Sequence, residues 1–221
     1  INELVSVPTI LKSRPINNSN ENSVLMKLDR VRHFNFIRDK IPFSRKIDQA
    51  VFRGACYQQN RQDFIKKHLT TPMTNVGNTD SSQKGQRGFR HFMKISDQLC
   101  YKFIISLEGN DVATNLKWIM SSNSLCFMPK PRVESWFLEG KLIAGYHFVQ
   151  LHDDFSNLEE RIAYYSEHSD EALAIIKNAN RHVLQFLDIR QEKLISILVL
   201  RKYFSLSGQR EPGSIYPVSY T

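Results

Sequence analysis

The stretch "YKFIISLEGNDVATNLKWIMSSNSLCFM", residues 101–128, does most to limit what this chain can become. An apolar run from Tyr101 to Leu107 meets a polar joint, Glu108-Gly109-Asn110-Asp111. Beyond it Val112, Leu116, Ile119 and Met120 recur at helical spacing, and a second apolar run begins at Ser124. Two strands joined by one amphipathic helix pair in parallel, because the crossover brings the chain back to the same edge of the sheet. The segment predicts a strand over 101–107, a helix over 111–121 and a strand over 124–128.

The same alternation extends in both directions. Residues 1–12 read as a strand and 13–23 as a polar loop. "AVFRG" reads as a strand over Ala50–Gly54 and "NRQDFIKKHL" as a helix, with "TTPMTNVGNTDSSQKGQRG" a long functional or mobile loop behind it. A short helix is expected near 134–139 and a strand over 146–151. In "LHDDFSNLEERI", Ser156 or Asp154 is expected to cap the next helix, with Glu159 completing a capping box. In "DEALAIIKNANRHVLQFL", Ala172, Ile175, Ile176, Ala179, Val183 and Phe186 share one face, so that helix packs on something flat. "REPGSIYPVSYT" reads as a loose tail. The pattern predicts an α/β fold with a parallel sheet flanked by helices.

Composition narrows the setting. With 221 residues, 41% of them apolar, the chain can bury a substantial core. The apolar runs are too short for a bilayer span and the N-terminus lacks the order of a signal peptide, so the chain reads as soluble. Cys56, Cys100 and Cys126 are an odd number without metal-type spacing, which suits a reducing compartment and argues against zinc. A formal net charge of +8 points to an anionic partner: nucleic acid, an acidic membrane face or a phosphate-bearing small molecule.

The joint is a candidate site because ligands of open parallel sheets bind beyond the carboxyl ends of strands. Gly109 permits close approach of a ligand, and the N–H groups and dipole of the helix after it favour an anion such as a diphosphate. The competing reading is structural, with Asn110 or Asp111 capping the helix. The segment "VFRGACYQQNR" offers a second strand end, where Arg53 and Arg61, on either side of Gly54, have the planar charged fork that would clamp a pyrophosphate. As isolated residues they read equally as solvated arginines.

Taken in order, "FRGACYQQNR", "YKFIISLEGNDVATNLKWIMSSNSL", "YHFVQLHDDFSNLEERIAYY" and "NANRHVLQFL" resemble glycosyltransferase family 90 over roughly residues 8–204, and the wording of 108–131 is most similar to its bacterial lipopolysaccharide branch. The resemblance implies a GT-B-like pair of Rossmann-type lobes: residues 1–49 the remainder of an N-terminal acceptor-side lobe, 50–204 the nucleotide-sugar-binding lobe and 205–221 a tail. It implies inverting transfer of a hexose from a UDP-sugar to a hydroxyl of lipopolysaccharide core or a similar glycan, without metal or cofactor. The setting it implies is cytoplasmic, peripheral on the inner face of an anionic membrane, with no nucleic acid as partner. In the family the arginine after the RG motif contacts the donor diphosphate, which matches Arg61, and the glycine-led turn of the donor pocket matches Gly109, Asn110, Thr114 and Asn115.

This chain departs from the secretory-pathway members at Ala55, Ala113 and Asn115, where they carry serine, serine and arginine. Lys117, Lys102 or Arg53 is then expected to supply the missing charge, and Asn115 a hydrogen bond. The carboxylate base that inversion requires is expected upstream of Ile1; Asp39 and Asp111 are the candidates within the chain, each also readable as a solvated or capping acid. Glu134 is expected either to hold ribose hydroxyls or to be an acid at a helix start. His147 and the cluster at Asp153–Asp154 read as structural, and Arg14 as facing a phosphorylated acceptor or solvent. The alternative class is a noncatalytic nucleotide- or nucleic-acid-binding protein, favoured by charge but lacking a recognised nucleic-acid motif.

Overall fold

A computed structural model describes residues 5–17, 19–28 and 30–209. Three short strands come first: β1 (Thr9–Leu11), β2 (Ser13–Pro15) and β3 (Ser23–Leu25), with β1 and β3 paired in parallel. One helical turn, α1 (Arg30–His33), leads to the main α/β unit. Its elements are β4 (Ile47–Gly54), α2 (Gln59–His68), β5 (Thr74–Asn78), α3 (Ile95–Gln98), β6 (Tyr101–Ile105), α4 (Leu116–Met120), β7 (Leu125–Met128), β8 (Val133–Ser135) and β9 (Val149–Gln150). Helices α5 (Leu158–Glu167), α6 (Ser169–Leu184) and α7 (Ile189–Leu206) follow. Strands β5-β4-β6-β7-β9 form one five-stranded sheet, parallel throughout, and β2 pairs antiparallel with β8 beside it. This is the α/β class expected from the sequence.

A parallel sheet is covered on both faces, and its strands accordingly read as unbroken apolar runs. Ala50, Phe52, Phe103, Ile105 and Phe127 pack with Phe64 and Ile65 of α2 and with Leu158, Ile162 and Tyr165 of α5. Val51, Ile104, Cys126 and Met128 face the other way, against Leu116, Ile119 and Met120 of α4. The apolar face of α6 serves both layers: Ala172, Ile175 and Ile176 join the first, Ala179 and Val183 the second. All three cysteines are free thiols. No helix among the described residues is long and apolar enough to cross a membrane.

Several elements differ from the sequence-based expectation. The helix expected over 111–121 is confined to α4. Asn115 donates from Nδ2 to Ile105 O and accepts from Ser106 Oγ, which ties the preceding turn back onto the end of β6 instead of letting it wind. The long loop after α2 contains β5, an edge strand in which Gly77 sits opposite Arg53. The helix expected near 134–139 is β8 followed by a left-handed Leu138 (φ 58°) and a 3-10 turn, Glu139–Lys141, because the Glu139 carboxylate folds back to accept from Ser135 N at 2.7 Å. The strand over 146–151 shortens to β9. No capping box forms at α5: Asp154 accepts from Ser156 N and Oγ, while Asn157 holds His152 N. Residues 13–23 carry β2 as well as a loop. Of the expected first strand, residues 5–12 are described and only β1 is strand, and the tail from 210 onward lies outside the described residues.

Candidate functional site

At the carboxyl edge of the sheet, Arg61 on α2 reaches across the ends of two strands. Its Nη1 donates to Ala55 O after β4 (3.0 Å), its Nη2 to Leu107 O (2.7 Å) and its Nε to Glu108 O (3.2 Å) after β6. Beside it Asn60 Nδ2 donates to Glu108 O and Gln58 Nε2 to Asn110 Oδ1, so the start of α2 and the joint are laced together. Gly109 lies directly under the guanidinium, and a Cβ there would stand 3.3 Å from Arg61 Nη2. Burial lowers the Arg61 pKa, yet an arginine stays charged at any ordinary pH. Among the described residues no carboxylate pairs with it. A half-buried cation with backbone dipoles and no counter-ion is an electrostatic invitation to an anion.

Beside Asn60 and Glu108, the neighbours of Arg61 in this network, lies a pocket of about 100 Å³ between the ends of β6 and β7, walled by Val112, Ala113, Met128 and the run Pro129-Lys130-Pro131. It adjoins a groove of about 410 Å³ through the shared residues Asn60, Glu108 and Arg132. Three carboxylates line this cleft: Glu139, paired with Lys117, Asp153, paired with Arg132, and Glu108. Burial raises the Glu108 pKa, opposed by hydrogen bonds to its Oε1 from Arg132 N (3.1 Å) and Val133 N (3.2 Å). Its Oε2 has no protein donor among the described residues. Sequence reasoning quoted Glu108 but did not assign it; its position immediately before the glycine of the turn was the available signal.

The candidate residues divide by position. Arg61, Gly109 and Asn110 come together, with Thr114 in the adjoining turn. Arg53 does not join them: it turns toward β5, where Nη1 donates to Phe52 O and Asn75 O and Nη2 to Asn75 Oδ1, so the two arginines do not clamp one ligand across Gly54. Lys102 lies near the amino end of β6, paired with Asp48 at 3.0 Å. Lys117 is wholly enclosed, with its Nζ 2.5 Å from Glu139 Oε1. Neither lysine can supply the missing phosphate charge. Asn115 is engaged in closing its turn. With α4 only five residues long and starting at Leu116, the helix dipole expected to favour an anion at the joint is weak there, and Arg61 is the charge that stands over Gly109.

The carboxylate candidates are also engaged. Asp39 is buried beside Lys46 (2.8 Å) and accepts from Asn123 N ahead of β7, at the amino edge of the sheet and away from the cleft. Asp111 pairs with Lys12 at 2.5 Å; burial would raise its pKa, but hydrogen bonds from Lys12, Ser13 and Val112 N outweigh this and hold it low, which makes it a poor base. Glu134 is joined to Arg14 across β2 and β8 at 2.8 Å, which accounts for both residues without a ribose or a phosphorylated acceptor.

A family model described as glycosyl transferase family 90 matches residues 26–207. O-glucosyltransferase LpsA of Dichelobacter nodosus is 48% identical over 206 residues, which cover 93% of this chain and 65% of that relative's length. Among solved structures, the C-terminal domain of a glycosyl transferase group 1 family protein (LpcC) from Francisella tularensis matches with 13% identity and a TM-score of 0.43, over 71% of this chain and 97% of that one.

Proposed function

This chain belongs to glycosyl transferase family 90, and from that premise we propose that the carboxyl-edge cleft binds a UDP-hexose whose sugar is transferred, with inversion, to a hydroxyl of lipopolysaccharide core or a similar glycan. The name of the relative favours glucose as the hexose. The observation that carries the reading is Arg61 lying over Gly109 without a carboxylate partner.

In this reading the diphosphate lies against the Arg61 guanidinium at the rim of the Gly109 turn, where the absent Cβ leaves room for its oxygens. The uracil lies against Pro129-Lys130-Pro131, and Glu108 Oε2 accepts from a ribose hydroxyl. Bond cleavage builds negative charge on the departing UDP. A preorganised guanidinium in a partly dry site stabilises that added charge more than it stabilises the less highly charged diphosphate of the intact donor, so Arg61 accelerates the step instead of merely tightening binding. The proposal assigns this neutralisation to arginine and requires no metal ion. The acceptor hydroxyl must lose its proton to a carboxylate as it attacks the face opposite UDP; Asp39 and Asp111 are too firmly engaged for that role. A net charge of +8 favours a peripheral seat on the cytoplasmic face of an anionic membrane.

The test is calorimetric titration with UDP. Arg61→Ala removes a charge-assisted contact and should weaken binding by roughly tenfold to a hundredfold, while Arg61→Lys should retain part of the affinity. Circular dichroism checks that the lost carbonyl bonds have not unfolded the variant. Equal UDP affinity in wild type and a folded Arg61→Ala would remove the proposal.

A further inference from the structure

The carboxyl edge carries a second cleft, on the far side of Arg61 from the pocket at β6 and β7. It has a volume of about 780 Å³ and lies between α2 and the loop that follows β5. Gly88, at φ 99°, turns that loop in against Ile65 of α2 to form the wall. The lining is of two kinds. Gln62 Nε2 already donates to Cys56 O and Tyr57 O, and Asn78 Oδ1 accepts from Cys56 N and Asp80 N, which leaves Gln62 Oε1, Asn78 Nδ2 and the Gln83 amide for a ligand, and Tyr57, 69% exposed, offers an aromatic face. This mixture suits a sugar, whose hydroxyls bond to planar polar groups while its C–H face stacks on a ring.

Charge is the other component. Lys66 and Arg87 face the cleft, and neither has an ion-pair partner among the described residues. The one acid in the lining, Asp80, is directed into its own turn, accepting from Ser82 N and Ser82 Oγ. From Ser81 to Lys94 the loop carries Lys84, Arg87, Arg90 and Lys94 with no Asp or Glu.

Strand order relates the two clefts. The nucleoside pocket lies at β6 and β7, Arg61 bridges the ends of β4 and β6, and the cationic cleft lies at β5 and β4. Strands are spaced by about 4.8 Å, so the clefts stand roughly 10 Å apart along the edge. A donor with its nucleoside at one end and its diphosphate at Arg61 therefore directs its hexose toward the cationic cleft. We propose that this cleft seats the acceptor glycan, and that the acceptor carries phosphate or carboxylate groups that Lys66 and Arg87 recognise. The inference rests on the donor reading above for its direction.

Glucose 6-phosphate and glucose serve as probes in titrations of wild type, Lys66→Ala/Arg87→Ala and Arg61→Ala. Both cleft residues are exposed, so the double variant should fold. Loss of two charged contacts should weaken glucose 6-phosphate by about tenfold or more while UDP changes by less than about twofold. Arg61→Ala should do the reverse. The inference is overturned if the double variant keeps wild-type affinity for glucose 6-phosphate, or if glucose binds wild type as well as its phosphate does. Failure of UDP to bind wild type would instead strike the donor reading, leaving the cleft's preference for the phosphosugar measurable.

Discussion

Replacing Lys117 with Met separates a structural lysine from a ligand-binding one. Its Nζ is 2.5 Å from Glu139 Oε1, and the side chains are 0% and 2% exposed. The ammonium also lies 5.2 Å from the centre of the Phe137 ring. Methionine fills nearly the same space, so the change removes a charge without opening a large cavity. It leaves the buried Glu139 carboxyl without its cation. Removing one member of a buried pair costs about 3–5 kcal/mol. Ser135 N and Oγ still donate to Glu139 at 2.7 and 2.9 Å, which places the expected loss near the lower end, about 3 kcal/mol. For a protein of this size that lowers Tm by roughly 6–12 °C. Adding Glu139→Gln should recover most of it, since a neutral replacement of both partners is often nearly neutral in stability. Thermal and urea melts of the two variants, each titrated with UDP, make the assay. The reasoning is refuted if Lys117→Met melts within about 2 °C of wild type while losing UDP affinity.

Two further changes probe the cleft. Gly109→Ala places a methyl 3.3 Å from Arg61 Nη2 and 3.5 Å from its Cζ; the guanidinium must shift, so UDP should bind about tenfold more weakly with little change in Tm, and undiminished binding would contradict the contact. Glu108→Gln tests the buried carboxylate. Because burial raises its pKa above the ordinary 4.5, wild type loses stability as pH rises from that value through the raised one, whereas glutamine does not titrate. The variant should therefore gain on wild type above about pH 4.5 in pH-dependent melts, and should bind UDP less well; a variant that loses ground to wild type as pH rises would reverse the assigned sign.

Much of the α/β frame could be read from the sequence because its strands, buried on both faces, are apolar without interruption: Ala50-Val51-Phe52, Phe103-Ile104-Ile105 and Leu125-Cys126-Phe127. The face of α6 was equally legible from its spacing. β5 was not, since "TNVGN" has few apolar residues and pairs on one side only. Its Gly77 makes room for Arg90, whose Cγ would lie 2.3 Å from a Cβ there. Val112 and Ala113 are buried like helix residues but lie in a turn held by Asn115, so periodicity overextended α4. The site was half legible. Arg61, in the first turn of the helix after β4, and Gly109, in the joint after β6, follow strand ends closely enough for local pattern to single them out. The fates of Lys117, Glu134 and Asp39 depend on partners 22, 120 and 7 residues away, and spacing within one element carries no information about those pairings.

The most direct measurement is a crystal structure of this protein soaked with UDP. The account predicts diphosphate oxygens within hydrogen-bonding distance of the Arg61 guanidinium, beside the Gly109 turn, with uracil against Pro129–Pro131. UDP bound with its phosphates away from Arg61 would contradict it.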